Sequence, residues 1–394
     1  MTVEMDTART LIEQKLDELL ANHDPHGDMT EFLGARFDAG LAWVYHPEGL
    51  GGLGLPRPLQ AIVDARMLEA DAPNPGQFNA LGIGMGAPVL LAHGTDEQQR
   101  RWLRPLFTCE EIWCQMFSEP GAGSDVAALS CRAVRDGDEW VVNGQKVWTT
   151  LAHVSKWGML VVRTDPDVPK HKGMSYFIVD MESPGVEVRP LRQITGEAEF
   201  NEVYFDDARI PHENLLGDVG DGWRISLTTL MNERVMIGGT TPPRGSGAIG
   251  DLFEVWEEYG GSAADRDRVV QLWVEAEAAR LTNIRARDRM KAGTPGPEGS
   301  TGKITYATLN QRIYEFAVEL MGAEGMLYPS YEERRPELFE PIDDPRKAFL
   351  RARGNSIEGG TTEIMKQILG ERVLGLPGEP RVDKDLPWSE VPRS

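Results

Sequence analysis

The stretch with the densest potential for chemistry is Gln115-Met-Phe-Ser-Glu-Pro-Gly-Ala-Gly-Ser-Asp125, followed by Val147-Trp-Thr-Thr150. Apolar residues up to Phe117 read as a buried strand, and Pro120, Gly121 and Gly123 break it into a loop rich in backbone N–H groups and hydroxyls. Such a loop approaches a flat or anionic ligand closely, although a Pro-Gly-Ala-Gly turn also serves as plain punctuation. A second group is Asn232-Glu233-Arg234. At about 100° per residue, Trp223, Leu227, Leu230 and Ile237 share one helical stripe, with Arg234 in its middle and Glu233 at its margin. Two readings account for charge on that face: an ion pair to neighbouring helices, or a carboxylate in a dry pocket whose raised proton affinity suits general-base work. A third group, Asn355-Ser-Ile-Glu-Gly-Gly-Thr-Thr-Glu-Ile364, is a glycine turn entering a helix at Thr361. Its amides and hydroxyls suit a polar ring edge or phosphate, and equally an ordinary N-cap.

Other chemistries lack their residues. There is no His-x-x-x-His, no cysteine cluster and no carboxylate set at ligand spacing, so no metal site is expected. No Gly-x-Ser-x-Gly or P-loop is present, which argues against a serine hydrolase or a nucleoside triphosphatase. The net charge of -21 repels nucleic acid and acidic membranes, so an anionic ligand must be met by a local cluster of donors. Cys109, Cys114 and Cys131 form no Cys-x-x-Cys pair and point to a reducing, cytoplasmic compartment. The first residues show no signal-peptide pattern, and the apolar run from Leu81 to Ala92 contains Pro88 and is too short to span a bilayer.

The elements that position these residues fall into three blocks. The first is helical: Leu11, Ile12, Leu16, Leu19 and Leu20 recur at helical spacing up to Asn22, and Leu59 to Glu69 and Pro88 to His93 follow. Thr95-Asp-Glu-Gln-Gln then opens a further helix with an N-cap and early acids. From about Ile112 short strands take over, joined by Asp136-Gly137 and Asn143-Gly144, dipeptides that favour tight hairpins. Further strands are expected at Gly158 to Val162, Ser175 to Val179, Val186 to Val188 and Asn201 to Phe205. Helical periodicity returns at Trp223, with helices over Trp223 to Ile237, Asp265 to Lys291, Ser300 to Leu320, Asp344 to Arg353 and Thr361 to Val373. Gly238 to Gly261 reads as an irregular connector, at least in part, and 294–299 as a loop. The reading is α+β, with an all-α domain at 1–111, a β-domain at 112–221 and a helical bundle at 222–394.

In this order and at this spacing, four segments resemble the acyl-CoA dehydrogenase family: Met116 to Asp125, Asn143-Gly-Gln-Lys-Val-Trp-Thr-Thr150, Glu202 to Gly217, and Gly360-Thr-Thr-Glu-Ile364. The resemblance runs from about Thr7 to Pro377. It implies a middle domain of β-barrel type and a non-covalent FAD between that domain and the C-terminal bundle. Gln115, Phe117, Ser118, Trp148, Thr149 and Thr150 are then expected to line the flavin, with Thr361 and Glu363 in contact from the last third. Gly322 and Gly325 correspond to the turn by which a neighbouring subunit meets the ADP part of FAD, and Ser124 to a residue that contacts the acyl-CoA substrate. The implied reaction removes two hydrogens across Cα and Cβ of an acyl thioester and passes the electrons to an electron-transfer flavoprotein. A homodimer or homotetramer is expected, with no membrane insertion.

Two departures shape the expectations. Many members carry their base immediately before the Gly-Thr of the last motif, where this chain has Gly359; Glu358 is one residue early. In the branch with isovaleryl- and long-chain-type enzymes the base stands in a Glu-Arg pair on the helix after the β-domain, which Glu233-Arg234 matches. Glu233 is therefore the expected base, with Arg234 beside it. The family's Arg-x-x-Phe-Gly motif is also absent. Both departures leave open a non-catalytic partner subunit of a mixed oligomer, and a flavin oxidase or monooxygenase on the same fold is a further alternative.

Overall fold

A computed structural model describes residues 2–238, 241–291, 298–381 and 383–392. The first block contains α1 (Thr2–Asn22), α2 (Met29–Asp38), α3 (Gln60–Glu69), α4 (Pro75–Phe78), a π-helical turn at Gly82–Gly86, α5 (Ala87–His93) and α6 (Asp96–Phe107). On α1 the residues Ile12, Leu16 and Leu19 are buried, whereas Leu11 faces outward. The start of α6 forms a reciprocal capping box between Thr95 and Gln98. The same Gln98 amide donates to the carbonyls of Glu213 (2.7 Å) and Leu215 (2.9 Å), which docks the helical block onto the next one.

The middle block consists of β1 (Trp113–Met116), β2 (Arg132–Asp136), β3 (Glu139–Thr150), β4 (Trp157–Arg163), β5 (Met174–Asp180), β6 (Val186–Pro190), β7 (Phe200–Pro211) and β8 (Leu215–Leu216). These form one sheet in the order β6-β7-β3-β2-β4-β5-β8, with β1 parallel to β4. Inward residues from β1 (Cys114, Met116), β3 (Trp140, Val142), β4 (Leu160, Val162) and β7 (Val203, Phe205) share one core, so the sheet curls around it. The alternate residues Met159, Val161, Tyr176 and Ile178 belong instead to the core of the helical block. With both faces covered, β4 is buried at every position. That explains why Gly158 to Val162 reads as a continuous apolar run.

Asp136-Gly137 lies at the β2–β3 turn, as expected. Asn143-Gly144 does not turn: β3 runs straight through it, and the pairing with β7 shifts register between Val142 and Gly144. A side chain on Gly144, at φ 148°, would lie 2.7 Å from the Cys131 backbone. The glycine thus permits a close strand crossing at a bulge.

The last block holds α7 (Gly222–Gly238), α8 (Ala248–Tyr259), α9 (Ala263–Lys291), α10 (Glu298–Leu320), α11 (Pro345–Arg351) and α12 (Thr362–Ile368). Helix α8 occupies half of the expected connector, because Ile249, Leu252 and Val255 recur at helical spacing and pack on Val269, Leu272, Ile313 and Phe316 of α9 and α10. Positions 294–297 of the expected loop lie outside the described residues, and α10 begins at Glu298. Among the described residues no helix is long and apolar enough to cross a membrane.

One buried ion pair joins the glycine-rich loop to β3. Lys146 is fully buried, and its Nζ donates to Glu119 Oε1 at 2.8 Å and to the Phe117 carbonyl at 3.1 Å. Glu119 also accepts from Ser130 N (2.7 Å), Ser130 Oγ (3.0 Å) and Cys131 N (2.9 Å). Burial alone lifts the Glu119 carboxyl, but Lys146 and the two amides outweigh it and hold it below the usual carboxylate range. Lys146→Met strands that carboxylate and is expected to lower unfolding stability by about 3–5 kcal/mol, read as the shift of the denaturant midpoint; Lys146→Met/Glu119→Leu recovers part of the loss. The wild-type contribution is complete above the ordinary carboxylate range and fades as pH falls through the depressed value of Glu119.

Candidate functional site

The wall of the site is built by stitching the glycine-rich loop to β3. Val147 N donates to Ser118 O at 2.9 Å, next to the Lys146–Phe117 contact, so Ser118 and Trp148 belong to one rigid surface. Between Lys146 and Thr149 the β3–β7 register slips again, and Trp148 is held at φ 61° with its side chain 57 % exposed. A bulky residue in the left-handed region is costly and persists only where its surroundings over-determine it. Here Asn201 Nδ2 grips the Thr149 carbonyl at 3.1 Å immediately after the strained residue. Thr149 itself is fully buried, and its Oγ1 finds no hydrogen-bond partner among the described residues. An outward aromatic plane, an enclosed hydroxyl in want of a partner and the half-buried Ser118 and Thr150 suit a flat heteroaromatic ring with polar edges.

The remaining residues of the loop and strand take distinct places. Gln115 is half-buried on β1. Phe117 is in the core, its ring edge-on to Tyr176 at 5.9 Å, so it offers the site its backbone rather than its face. Ser124 stands exposed at the loop tip.

Helix α7 differs from the sequence reading in which face it buries. Ile225, Ser226 and Thr229 are buried, whereas Leu227 and Met231 are exposed. The buried face is small and hydroxylated because α7 crosses close to β5: a side chain on Gly222 would lie 2.6 Å from Ser175 N. The hydroxyls are satisfied locally, Ser226 Oγ by Gly222 O at 2.7 Å, while Tyr176 Oη lies 3.1 Å from Thr229 Oγ1. Gly222, Ser226, Thr229 and Glu233 fall within about 40° of one line on the helix. Glu233 therefore continues, half-buried, the face that meets the β-domain. Of the expected stripe, Trp223 and Leu230 pack half-buried against the core and Leu227 is exposed; the spacing of small and hydroxyl residues was the signal for the more deeply buried face beside it. The side chain of Arg234 lies outside the described residues.

The third motif reaches the same neighbourhood through α10. Lys303 donates to the Asn355 carbonyl, and its charge is acted on by both Glu358 and Glu233. Burial lowers the proton affinity of Lys303, and the two carboxylates oppose that effect. Glu358 is engaged by Arg351 Nη2 and Asn355 Nδ2, each at 2.7 Å. The Arg351 guanidinium lies 5.7 Å from the Phe200 ring centre, and Phe200 meets Trp148 edge-on at 5.7 Å. A continuous line of contacts thus runs from Trp148 through Phe200 and Arg351 to Glu358, with Lys303 and Glu233 beyond.

Other expected residues are not gathered there. Thr361 caps α12, its Oγ1 accepting from Ile364 N at 3.2 Å, and Glu363 is exposed. Gly322 (φ 59°) and Gly325 lie past the far end of α10, roughly 28 Å from Lys303 at ~1.5 Å per residue. Two surface clefts, of ≈ 350 and ≈ 650 Å³, are lined by other residues, including Glu197 and Lys347 in the first and His153 and Arg335 in the second. Among the described residues no cluster of side chains suits a metal ion.

Comparison with known proteins gives the same frame. Residues 4–110, 114–208 and 220–374 match the N-terminal, middle and C-terminal domains of acyl-CoA dehydrogenases. The acyl-CoA dehydrogenase IpdE1 of Mycobacterium tuberculosis is 38% identical over 345 residues, 86% of each chain. FadE34 of the same organism is 39% identical over 87% of this chain, which spans only 46% of that protein. A solved ChsE4–ChsE5 complex from M. tuberculosis has a chain with TM-score 0.69 and 26% identity, covering 94% of this chain and 96% of its own. The chain belongs to the acyl-CoA dehydrogenase family, FAD-dependent oxidoreductases acting on CH–CH groups.

Proposed function

We propose that this chain catalyses α,β-dehydrogenation of an acyl-CoA thioester to the trans-2-enoyl-CoA, with Glu233 as the base. The observation that carries the assignment is the place of Glu233: half-buried, on the α7 face that turns toward the β-domain, across Lys303 from a Glu358 already held by Arg351 and Asn355. An α-proton is weakly acidic, so its base must be close and poorly hydrated. Glu233 is half-buried on a helix face that meets the β-domain, as such a base requires.

Bound FAD supplies the two-electron acceptor for the hydrogen leaving Cβ, and an electron-transfer flavoprotein takes the electrons onward. The residues of the chain do the rest. The Glu233 carboxylate takes the proton from Cα, and the electron pair of that bond becomes the new C=C bond as the Cβ hydrogen departs with its own pair. Trp148, Thr149, Thr150, Ser118 and Gln115 would hold the ring. Gly322 and Gly325 meet the cofactor of a neighbouring chain. Ser124, at the exposed tip, meets the thioester ligand, and Arg234 follows the base in the chain. Base and acceptor must stand on opposite faces of the substrate.

A second arrangement has its own support: a mixed oligomer with a different acyl-CoA dehydrogenase chain. The match to about half of FadE34 and to one chain of a two-component complex favours it over a homodimer or homotetramer. The chain expressed alone then purifies with little flavin and acquires it on mixing with the partner.

Three measurements test these readings. Glu233→Gln is expected to keep its FAD and lose anaerobic bleaching by acyl-CoA by several orders of magnitude, while Glu358→Gln changes it far less; the reverse pattern moves the base to Glu358. Trp148→Ala is expected to lower the flavin-to-protein ratio with little change in unfolding midpoint, because its side chain is largely exposed. Fast reoxidation of the bleached protein by air, without an electron-transfer flavoprotein, identifies an oxidase instead.

A further inference from the structure

The loop that carries Ser124 is held on its entering side, where Ala122 is buried and bridged to Glu119, and on its leaving side, while Gly123 and Ser124 between them stand exposed. Hypothetical side chains on Gly121 and Gly123 meet no atom within 4 Å, and Ser124 is exposed. The entering shoulder is fixed by the Glu119–Lys146 pair. The leaving shoulder is fixed by residues from far along the chain. Lys170, on the β4–β5 connection and only 13% exposed, donates to Asp125 Oδ2 at 2.7 Å and to Asp383 Oδ2 at 2.6 Å. Arg163 Nη2 donates to the carbonyls of Ala127 (2.6 Å) and Leu129 (3.3 Å), and its guanidinium lies 4.8 Å from the Trp388 ring centre. The Trp388 indole N–H reaches the carbonyl between them, Ala128 O, at 3.3 Å.

The segment that brings Asp383 and Trp388 is itself docked. Trp388 N donates to Val168 O and Ser389 N to Pro166 O, both at 2.9 Å, and Pro387 bridges to Pro169. Three separate parts of the chain, the glycine-rich loop, the β4–β5 connection and the segment after α12, therefore meet on one lysine and one arginine–tryptophan stack.

We propose that Lys170 and Trp388 are positioning residues of the substrate site: with Asp383 they anchor the leaving shoulder of the 121–129 loop and so set where Ser124 stands against the acyl thioester. The proposal rests on the reading of that loop as substrate wall. A loop with two glycines and an uncontacted tip keeps its conformational freedom unless both ends are held, and freedom surrendered on binding weakens affinity without altering the chemical step. The anchor acts on binding, through Asp125 and Ala128, and touches neither the proposed base nor the flavin wall.

The test uses the holoenzyme and the acyl-CoA that bleaches it fastest. Lys170→Met and Trp388→Ala are each expected to raise KM roughly threefold to tenfold, the scale of losing a partly buried ion pair or a cation–π contact, with unchanged flavin content and kcat within about twofold. Amides of 121–129 exchange hydrogen faster in both variants. A general loss of structure would instead lower flavin content, kcat and unfolding midpoint together. Gly123→Val is the companion variant: the Cβ it adds meets no protein atom within 4 Å, so a raised KM there reports the ligand at the tip whatever the anchor does. Unchanged exchange at 121–129 overturns the anchor. Faster exchange with unchanged KM overturns the positioning role, and Gly123→Val then separates a loop that binds without its anchor (KM raised) from a loop that is not the substrate wall (KM unchanged).

Discussion

The ion pair between Lys146 and Glu119 is the constraint on which the glycine-rich loop and the β3 bulge both depend. Two charges removed from water are tolerated only when the rest of their hydrogen-bonding capacity is met. Glu119 does so by taking the amides of Ser130 and Cys131, and Lys146 by taking the Phe117 carbonyl. The cost of burying charge thereby becomes a geometric specification: the entry to the loop, its exit and β3 have one mutual arrangement that satisfies every partner. Trp148, two residues from Lys146, stands in a backbone conformation that would relax if its neighbours were free to move.

The same logic extends across the interface with the C-terminal bundle. Phe200 on β7 touches Trp148 on one side and the Arg351 guanidinium on the other, and Arg351 is oriented by Glu358. A shift of α11 or of the turn that follows it is felt at the exposed tryptophan through two aromatic contacts and an ion pair. This contact line, rather than the large surface clefts, gives the Trp148 surface of β3 a defined relation to α11 and the turn that follows it. The clefts are open and polar-rimmed, unlike the enclosed apolar space that an acyl chain needs.

Much of this was legible in the sequence, and the exceptions have physical causes. The three-block order and the strands of the middle domain follow from periodicity and turn residues. Asn143-Gly144 carries the signature of a tight hairpin, yet its glycine serves a strand crossing over Cys131; local turn propensity lost to the demands of a curled sheet. On α7 the apolar stripe is only half-buried and the most buried positions lie beside it, because hydrophobicity marks burial only where a neighbour stands at ordinary distance. Where a helix lies almost on a strand, glycine and self-satisfied hydroxyls replace leucine. Long-range partners were beyond reach: nothing in Lys170, Trp388 or Arg351 as residue types announces that segments more than a hundred residues apart meet there.

Gly359 and Glu233 are two sides of one arrangement. Residues 359 and 360 turn the chain through φ values of 60° and 96°, a conformation that a carboxylate-bearing residue adopts only with strain. With glycine in both places the turn is sharp, and Glu358 folds back onto Arg351 and Asn355 instead of facing outward. Its charge then serves to fix the 352–358 segment and, through Lys303, to balance the field at the end of α7. A second ionised carboxylate in the same space would oppose the first. With Glu358 held by a cation and an amide, the proposed base falls to Glu233, which α7 carries half-buried on the face that meets the β-domain.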